Sequence, residues 1–165
     1  MTVKPADSRA ARLELERFLP YRLNVLAEAV SQALARIYGS RYGIAVPEWR
    51  VLATLGQYER TTAKQIGVHS RMHKTKVSRA VAGLDARGLI ARSANVADRR
   101  EAFLTLTTAG RRVYRDLVPR VQDFARLLTA ELEPAERQIL DNLMLRLQAR
   151  AESLAAEGPA AGRGR

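Results

Sequence analysis

The chain has 165 residues, 47% of them hydrophobic and 27% charged, the composition of one globular domain with or without an oligomerisation element. It has no cysteine, which excludes disulfides, thiolate metal sites and cysteine nucleophiles or redox sensors, and its two histidines, His69 and His73, are too few for a zinc site without clustered carboxylates. The net charge of +11 is unevenly spread: residues 61–115 hold twelve Lys/Arg against three acids, +9 of the total, which points to a polyanionic partner.

The N-terminal "MTVKPADSRAARLELERF" is charged throughout and does not read as a signal peptide. No uncharged apolar run approaches the ~18 residues of a membrane span. A cytoplasmic protein without membrane association is expected. Ser8 fits an N-cap, and Leu13, Leu15, Phe18 and Leu19 form a short stripe before Pro20. From Tyr21, Leu23, Leu26, Val30, Leu34 and Ile37 recur at spacings of three and four, an amphipathic helix expected to close at Gly39. Pro47 suits the first position of the next helix, "PEWRVLATLG", with Gly56 as its stop.

Thr61 or Thr62 is placed to cap a short helix, "TAKQIGV". The turn "HSRM" follows, and then a longer helix, "HKTKVSRAVAGLDARG". Val77, Val81 and Leu84 share one side of that helix, Thr75, Arg79 and Ala82 face away, and Lys76 and Ser78 flank them. "LIARS" and "AFLTLT" read as two strands of a hairpin joined by a loop over Ala94–Arg100, with Ala102, Leu104 and Leu106 alternating onto one face. Thr107 is expected to cap a helix striped by Val113, Leu117, Val121, Phe124 and Leu128 and kinked at Pro119. Pro134 starts the last helix, striped by Leu140, Leu143, Leu147, Ala151 and Leu154, and the tail at 158–165 has a disordered composition.

The predicted class is therefore mainly α with a small β-hairpin wing: a winged helix-turn-helix with N- and C-terminal dimerisation helices. The segments are 8–40 and 111–157 for dimerisation, 47–110 for the DNA-binding lobe, and 158–165 for the tail. Long terminal helices with heptad-like stripes are better explained by a second chain than by an intrachain bundle, so a homodimer is expected.

In such a lobe the second helix enters the major groove of double-stranded DNA. Here it presents Thr75, Lys76, Ser78 and Arg79, with Arg71 and Lys74 near its start and Lys64 on the preceding helix. Arginine can pair bidentately with guanine, and Ser or Thr can serve bases or phosphates. Nothing favours an enzyme: the chain has no Gly-rich phosphate loop, nucleophile constellation or clustered carboxylates. No cofactor and no metal site is expected.

The stretch "KVSRAVAGLDARGLIARSANVADRREAFLTLTTAG" resembles the multiple-antibiotic-resistance regulator (MarR) family. It combines a Val-Ser-Arg recognition helix, a Leu-x-x-x-Gly-Leu-Ile transition into the wing, Asp-x-Arg at Asp98–Arg100, and Leu-Thr-x-x-Gly at Leu106–Gly110. The resemblance covers about residues 15–150, and the segment opening "FLPYRLNVLAEAVSQALARIYGSRYG" is similar to the branch controlling aromatic-acid and hydroxycinnamate catabolism. It implies a homodimeric regulator, usually a repressor, on a pseudo-palindromic operator. Asp98 would brace the wing while Arg100 enters the minor groove, with Arg99 as a further phosphate contact.

The resemblance also implies release of DNA by a small phenolic or aromatic carboxylate, free or as its coenzyme A thioester, held between the dimerisation helices and the DNA-binding lobe. Tyr21, Arg22, Arg36, Trp49 and Arg50 are placed for that cleft, Arg92 matches an arginine near aromatic carboxylates in some members, and His69 lies in the turn. Trp49 equally fits the core, and Arg92 a wing anchor or phosphate contact. The alternative function is a non-sensing architectural DNA-binding protein.

Overall fold

A computed structural model describes residues 12–96, 98 and 100–157. Residues Ser8, Arg99 and 158–165, which carry three of the expectations above, lie outside that range. The element order is α1 (Leu19–Tyr42), α2 (Val46–Tyr58), β1 (Arg60–Thr62), α3 (Ala63–Ser70), α4 (Lys74–Ala86), β2 (Ile90–Ala94), β3 (Ala102–Leu106), α5 (Thr108–Leu128) and α6 (Pro134–Glu157). The three strands form an antiparallel sheet in the order β1-β3-β2. The chain divides into two compact units, Met1–Val121 and Gln122–Arg165, with the boundary inside α5, two residues beyond Pro119.

Local chemistry explains the element ends. The periodic stripe of α1 continues through Gly39 to Tyr42, and the left-handed residue that stops it is Gly43 (φ 59°), whose N–H bonds back to the Gly39 carbonyl at 2.8 Å. Gly56 likewise does not end α2, which runs on to Tyr58. A Cβ at Gly56 would lie 2.3 Å from the Tyr114 ring, so this glycine makes room for an aromatic side chain. Pro47 occupies the first turn of α2, as its missing N–H permits. Thr62, not Thr61, caps α3. Its hydroxyl accepts the Gln65 N–H (3.3 Å) while the Gln65 side chain accepts the Thr62 N–H (2.9 Å), a reciprocal capping box.

The core of the first unit lies where α2, α3, α4 and the sheet converge. Val51, Leu52, Leu55, Ile66, Val77, Val81, Leu84, Leu104 and Leu117 are all buried there. On β3, Leu104 and Leu106 turn into this core, as the alternation predicted. β1 was not expected: "RTT" is too short for any alternation to register, yet it pairs Arg60–Thr62 with Thr105–Phe103 and widens the hairpin to three strands. Thr107 caps α5 by accepting the Gly110 N–H (3.0 Å).

The second unit contains the end of α5 and all of α6. No residue of α6 is buried, and Ile139, Leu140, Leu143, Met144, Leu145, Leu147 and Leu154 are exposed along it. Among the described residues no helix is long and apolar enough to cross a membrane.

Candidate DNA-binding surface

The turn between α3 and α4 is built for close approach of the two helices. Arg71 takes a left-handed conformation (φ 53°), and the Met72 N–H then returns to the Gly67 carbonyl at 3.0 Å. His69 belongs to the last turn of α3 rather than to this turn, and its Nδ1 faces the Tyr58 hydroxyl at 3.3 Å. His73 is the N-cap of α4, its Nδ1 accepting the Thr75 N–H (3.4 Å).

Burial then divides α4 sharply. Val77, Ala80, Val81 and Leu84 are buried, whereas Lys74, Thr75, Lys76, Ser78 and Arg79 are exposed. A helix anchored by one apolar stripe is held rigidly while its opposite face stays open to a partner. Lys64, on α3, is also exposed.

The wing is pinned at both ends. At its base, Arg92 Nε on β2 donates to Asp85 Oδ2 on α4 at 2.7 Å, joining the hairpin to the helix beside it. Both groups are about half exposed, so the pair contributes about 0–1 kcal/mol, little enough for Arg92 to exchange its partner for another anion. At the tip, Asp98 Oδ1 accepts the Arg100 backbone N–H at 2.9 Å, and the Asp98 N–H donates to Asn95 Oδ1 at 3.3 Å. On the outer sheet face the Arg60 guanidinium lies 3.9 Å from the Phe103 ring centroid, a cation–π contact with no sequence signal.

α3, α4 and the wing enclose a groove of about 770 Å³ that brings together Lys64, Lys74, Ser78, Arg92, Asp98 and Arg100 over an apolar floor of Val77, Val81 and Leu104. A second cavity of about 290 Å³ lies between α1, α2 and the start of α4, where Arg50 and Lys76 face Glu28, Ser31 and Gln32.

Of the residues expected at a ligand cleft, only Arg50 lines that second cavity. Arg92 lines the wing groove instead. Tyr21, Arg22 and Arg36 are exposed on α1. Trp49 is stacked between Tyr38 (centroids 5.4 Å apart) and Tyr114 (6.4 Å), so its ring is committed to packing α1, α2 and α5 together. Burial pushes the Tyr38 phenol above its ordinary pKa, with nearby Arg50 opposing the shift.

A three-stranded wing behind a helix-turn-helix whose outer face is open and basic is a winged-helix DNA-binding fold. A model of the MarR family matches residues 42–101, which span α2 to the wing. A MarR-family transcriptional regulator from Silicibacter pomeroyi is 27% identical, with a TM-score of 0.71 over 85% of this chain and 96% of that one. An E. coli MarR variant complexed with operator DNA is 22% identical, with a TM-score of 0.72 over 83% and 99%. Bordetella bronchiseptica BpsR, whose DNA binding is regulated by 6-hydroxynicotinic acid, is 23% identical, with a TM-score of 0.65 over 77% and 98%. No curated protein matches the chain. The partial family match and the structural neighbours agree on a winged-helix fold of the kind found in MarR-family transcriptional regulators.

Proposed function

We propose that the protein is a homodimeric, ligand-responsive repressor, released from a palindromic operator by a small aromatic acid or its coenzyme A thioester. The observation that carries the DNA reading is the split burial of α4, which leaves Lys74, Thr75, Lys76, Ser78 and Arg79 exposed beside a wing carrying Arg100. In this reading α4 enters the major groove, Arg79 and Ser78 meet base edges, and Arg71, Lys74 and Lys64 meet phosphates. Arg100 enters the minor groove, whose narrow A·T-rich form is strongly negative. Operator DNA bound to the E. coli structural neighbour supports the same use of the fold.

Dimerisation is supported by the exposed apolar residues of α1, Leu19, Val25 and Leu26, and by the unburied α6. Large exposed apolar faces of this kind mark interaction sites. The segment boundaries are those of the sequence reading: terminal helices for dimerisation around a central DNA-binding lobe. For the ligand, the cavity beside Arg50 and Lys76 sets two cations against one carboxylate, Glu28, with Ala35, Val46 and Met72 as apolar wall, which suits a small anionic aromatic compound. Regulation of the neighbouring BpsR by 6-hydroxynicotinic acid supports that ligand class. A ligand releases DNA only by binding better to a conformation whose lobes misfit the half-sites.

The test is fluorescence anisotropy on DNA from upstream of the protein's own gene, titrated with phenolic acids and their coenzyme A thioesters. Specific binding should fall by roughly 10³–10⁵ between 50 and 200 mM salt if six to ten phosphates are contacted, and one ligand class should reverse it. Equal affinity for random DNA with no ligand effect would instead establish an architectural DNA-binding protein.

A further inference from the structure

The last turn of α1 is gripped from two directions. From α5, Asp116 accepts Arg41 Nε (2.5 Å), Arg41 Nη2 (3.2 Å) and the Tyr42 hydroxyl (3.1 Å). From the C-terminal end of α4, Arg87 donates through Nη2 to the Tyr42 carbonyl (2.5 Å) and through Nη1 to the Gly43 carbonyl (3.4 Å). Carbonyls at a helix C-terminus lack intrahelical partners and carry the negative end of the macrodipole. Arg87 therefore caps α1 from a different helix.

The same guanidinium lies 3.8 Å from Glu48 Oε2 in the first turn of α2, and Glu48 also accepts the Ala45 N–H at 2.8 Å. Four residues before Arg87, a Cβ on Gly83 would sit 2.6 Å from Glu48 Oε1, so α4 passes directly against this carboxylate. One arginine thus fastens the far end of the recognition helix to the end of α1 and the start of α2. Arg79, proposed to read bases, lies two turns away, about 12 Å along the same rigid rod. The sequence offers no role for Arg87 beyond one more positive charge.

We propose that Arg87 is a positioning residue that locks the recognition helix to the α1–α2 junction, so that the orientation of α1 sets the angle at which α4 is presented. The proposal rests on the dimeric DNA-binding reading, in which α1 belongs to the shared frame and the two α4 helices must match two half-sites at once. Loosening the clasp leaves each lobe able to bind one half-site but removes the fixed spacing between two.

The experiment compares Arg87→Gln with wild type on two duplexes: the sequence that wild-type protein selects from a random library, and the same duplex with one half scrambled. Thermal unfolding is followed in parallel. Arg87→Gln should lose about 5–150-fold on the full site, the span of typical coupling free energies, and less than about twofold on the half site. Arg87→Lys, which keeps the charge but not the paired donors, should show the same selective loss to a smaller degree, and it carries the test if the glutamine variant does not fold. Equal losses on both duplexes, for whichever variant folds, overturn the role of Arg87 and leave it a stability contact. Wild-type protein that binds both duplexes equally overturns the two-half-site reading and the coupling with it.

Discussion

The Asp98 carboxylate accepts the backbone N–H of Arg100 at 2.9 Å, closing a short turn that holds the wing tip before anything binds. In the proposed DNA-binding mode an acidic residue at the wing tip is electrostatically unfavourable, so the value of Asp98 there lies in preorganisation. Without it, the backbone at Arg100 must be ordered on binding, at about 1–2 kcal/mol per residue. Asp98→Ala should therefore weaken operator affinity by roughly 5- to 30-fold while leaving the thermal midpoint nearly unchanged. A variant that binds DNA more tightly, as simple charge removal would give, contradicts the bracing role.

Arg100 itself should matter according to groove shape. Arg100→Ala is expected to weaken binding chiefly where the sequence flanking the recognition-helix contact is A·T-rich, because a narrow minor groove concentrates negative potential. Matched anisotropy titrations on A·T- and G·C-flanked operators would show it. Equal loss on both removes the wing from minor-groove recognition.

Much of this architecture was legible because it is local. Thr62 and Thr107 cap helices through bonds to residues three positions away, and the β3 alternation directly reports which face meets the core. The misreading at Gly56 has a physical cause, since glycine serves both as a helix stop and as space for a neighbour. At Gly56 the neighbour is Tyr114, 58 residues onward, and no periodicity near "TLGQY" announces it. Trp49 fits cleft and core equally in the sequence because the stacking partners that decide it come from α1 and α5. The Arg41–Asp116 and Arg92–Asp85 pairs exist only once the helices and wing have packed, so charge count alone could not separate them from the exposed cations of α4.

Two arginine-or-lysine substitutions should separate base reading from phosphate attraction. Arg79→Ala should relax preference at one base position and cost about 1–3 kcal/mol if the contact is bidentate. Lys64→Ala should weaken all sequences alike and reduce the slope of log Kd against log salt by about 1. Selection from a randomised operator, combined with salt titration of each variant, distinguishes them. Uniform weakening by Arg79→Ala would assign it to the backbone.

Gly110 offers a stability test independent of DNA. A Cβ there would lie 1.9 Å from the Leu89 carbonyl oxygen, and the only relief is backbone movement where α5 leaves the wing. Overpacking of this kind costs about 1–3 kcal/mol, so Gly110→Ala should lower the urea midpoint with little change in slope. An unchanged midpoint would mean that this junction is plastic.

The Asp116 cluster predicts how stability depends on pH. Hydrogen bonds from Arg41 hold the Asp116 carboxyl below its ordinary pKa, with Tyr42 and the charges of Arg41 and Arg120 acting in the same direction against burial. A carboxyl whose pKa is lower folded than unfolded binds fewer protons in the native state, so stability rises with pH across its titration. The contribution is therefore complete above the unfolded value, about 3.9, and disappears as pH falls through the lower folded value. Asp116→Asn should reduce stability at pH 7 and flatten its acid dependence below pH 4, because the amide keeps the shape but not the charge. Urea denaturation at pH 7, 4 and 3 is the measurement. Parallel curves for wild type and variant across that range would show that Asp116 gains nothing from Arg41 on folding.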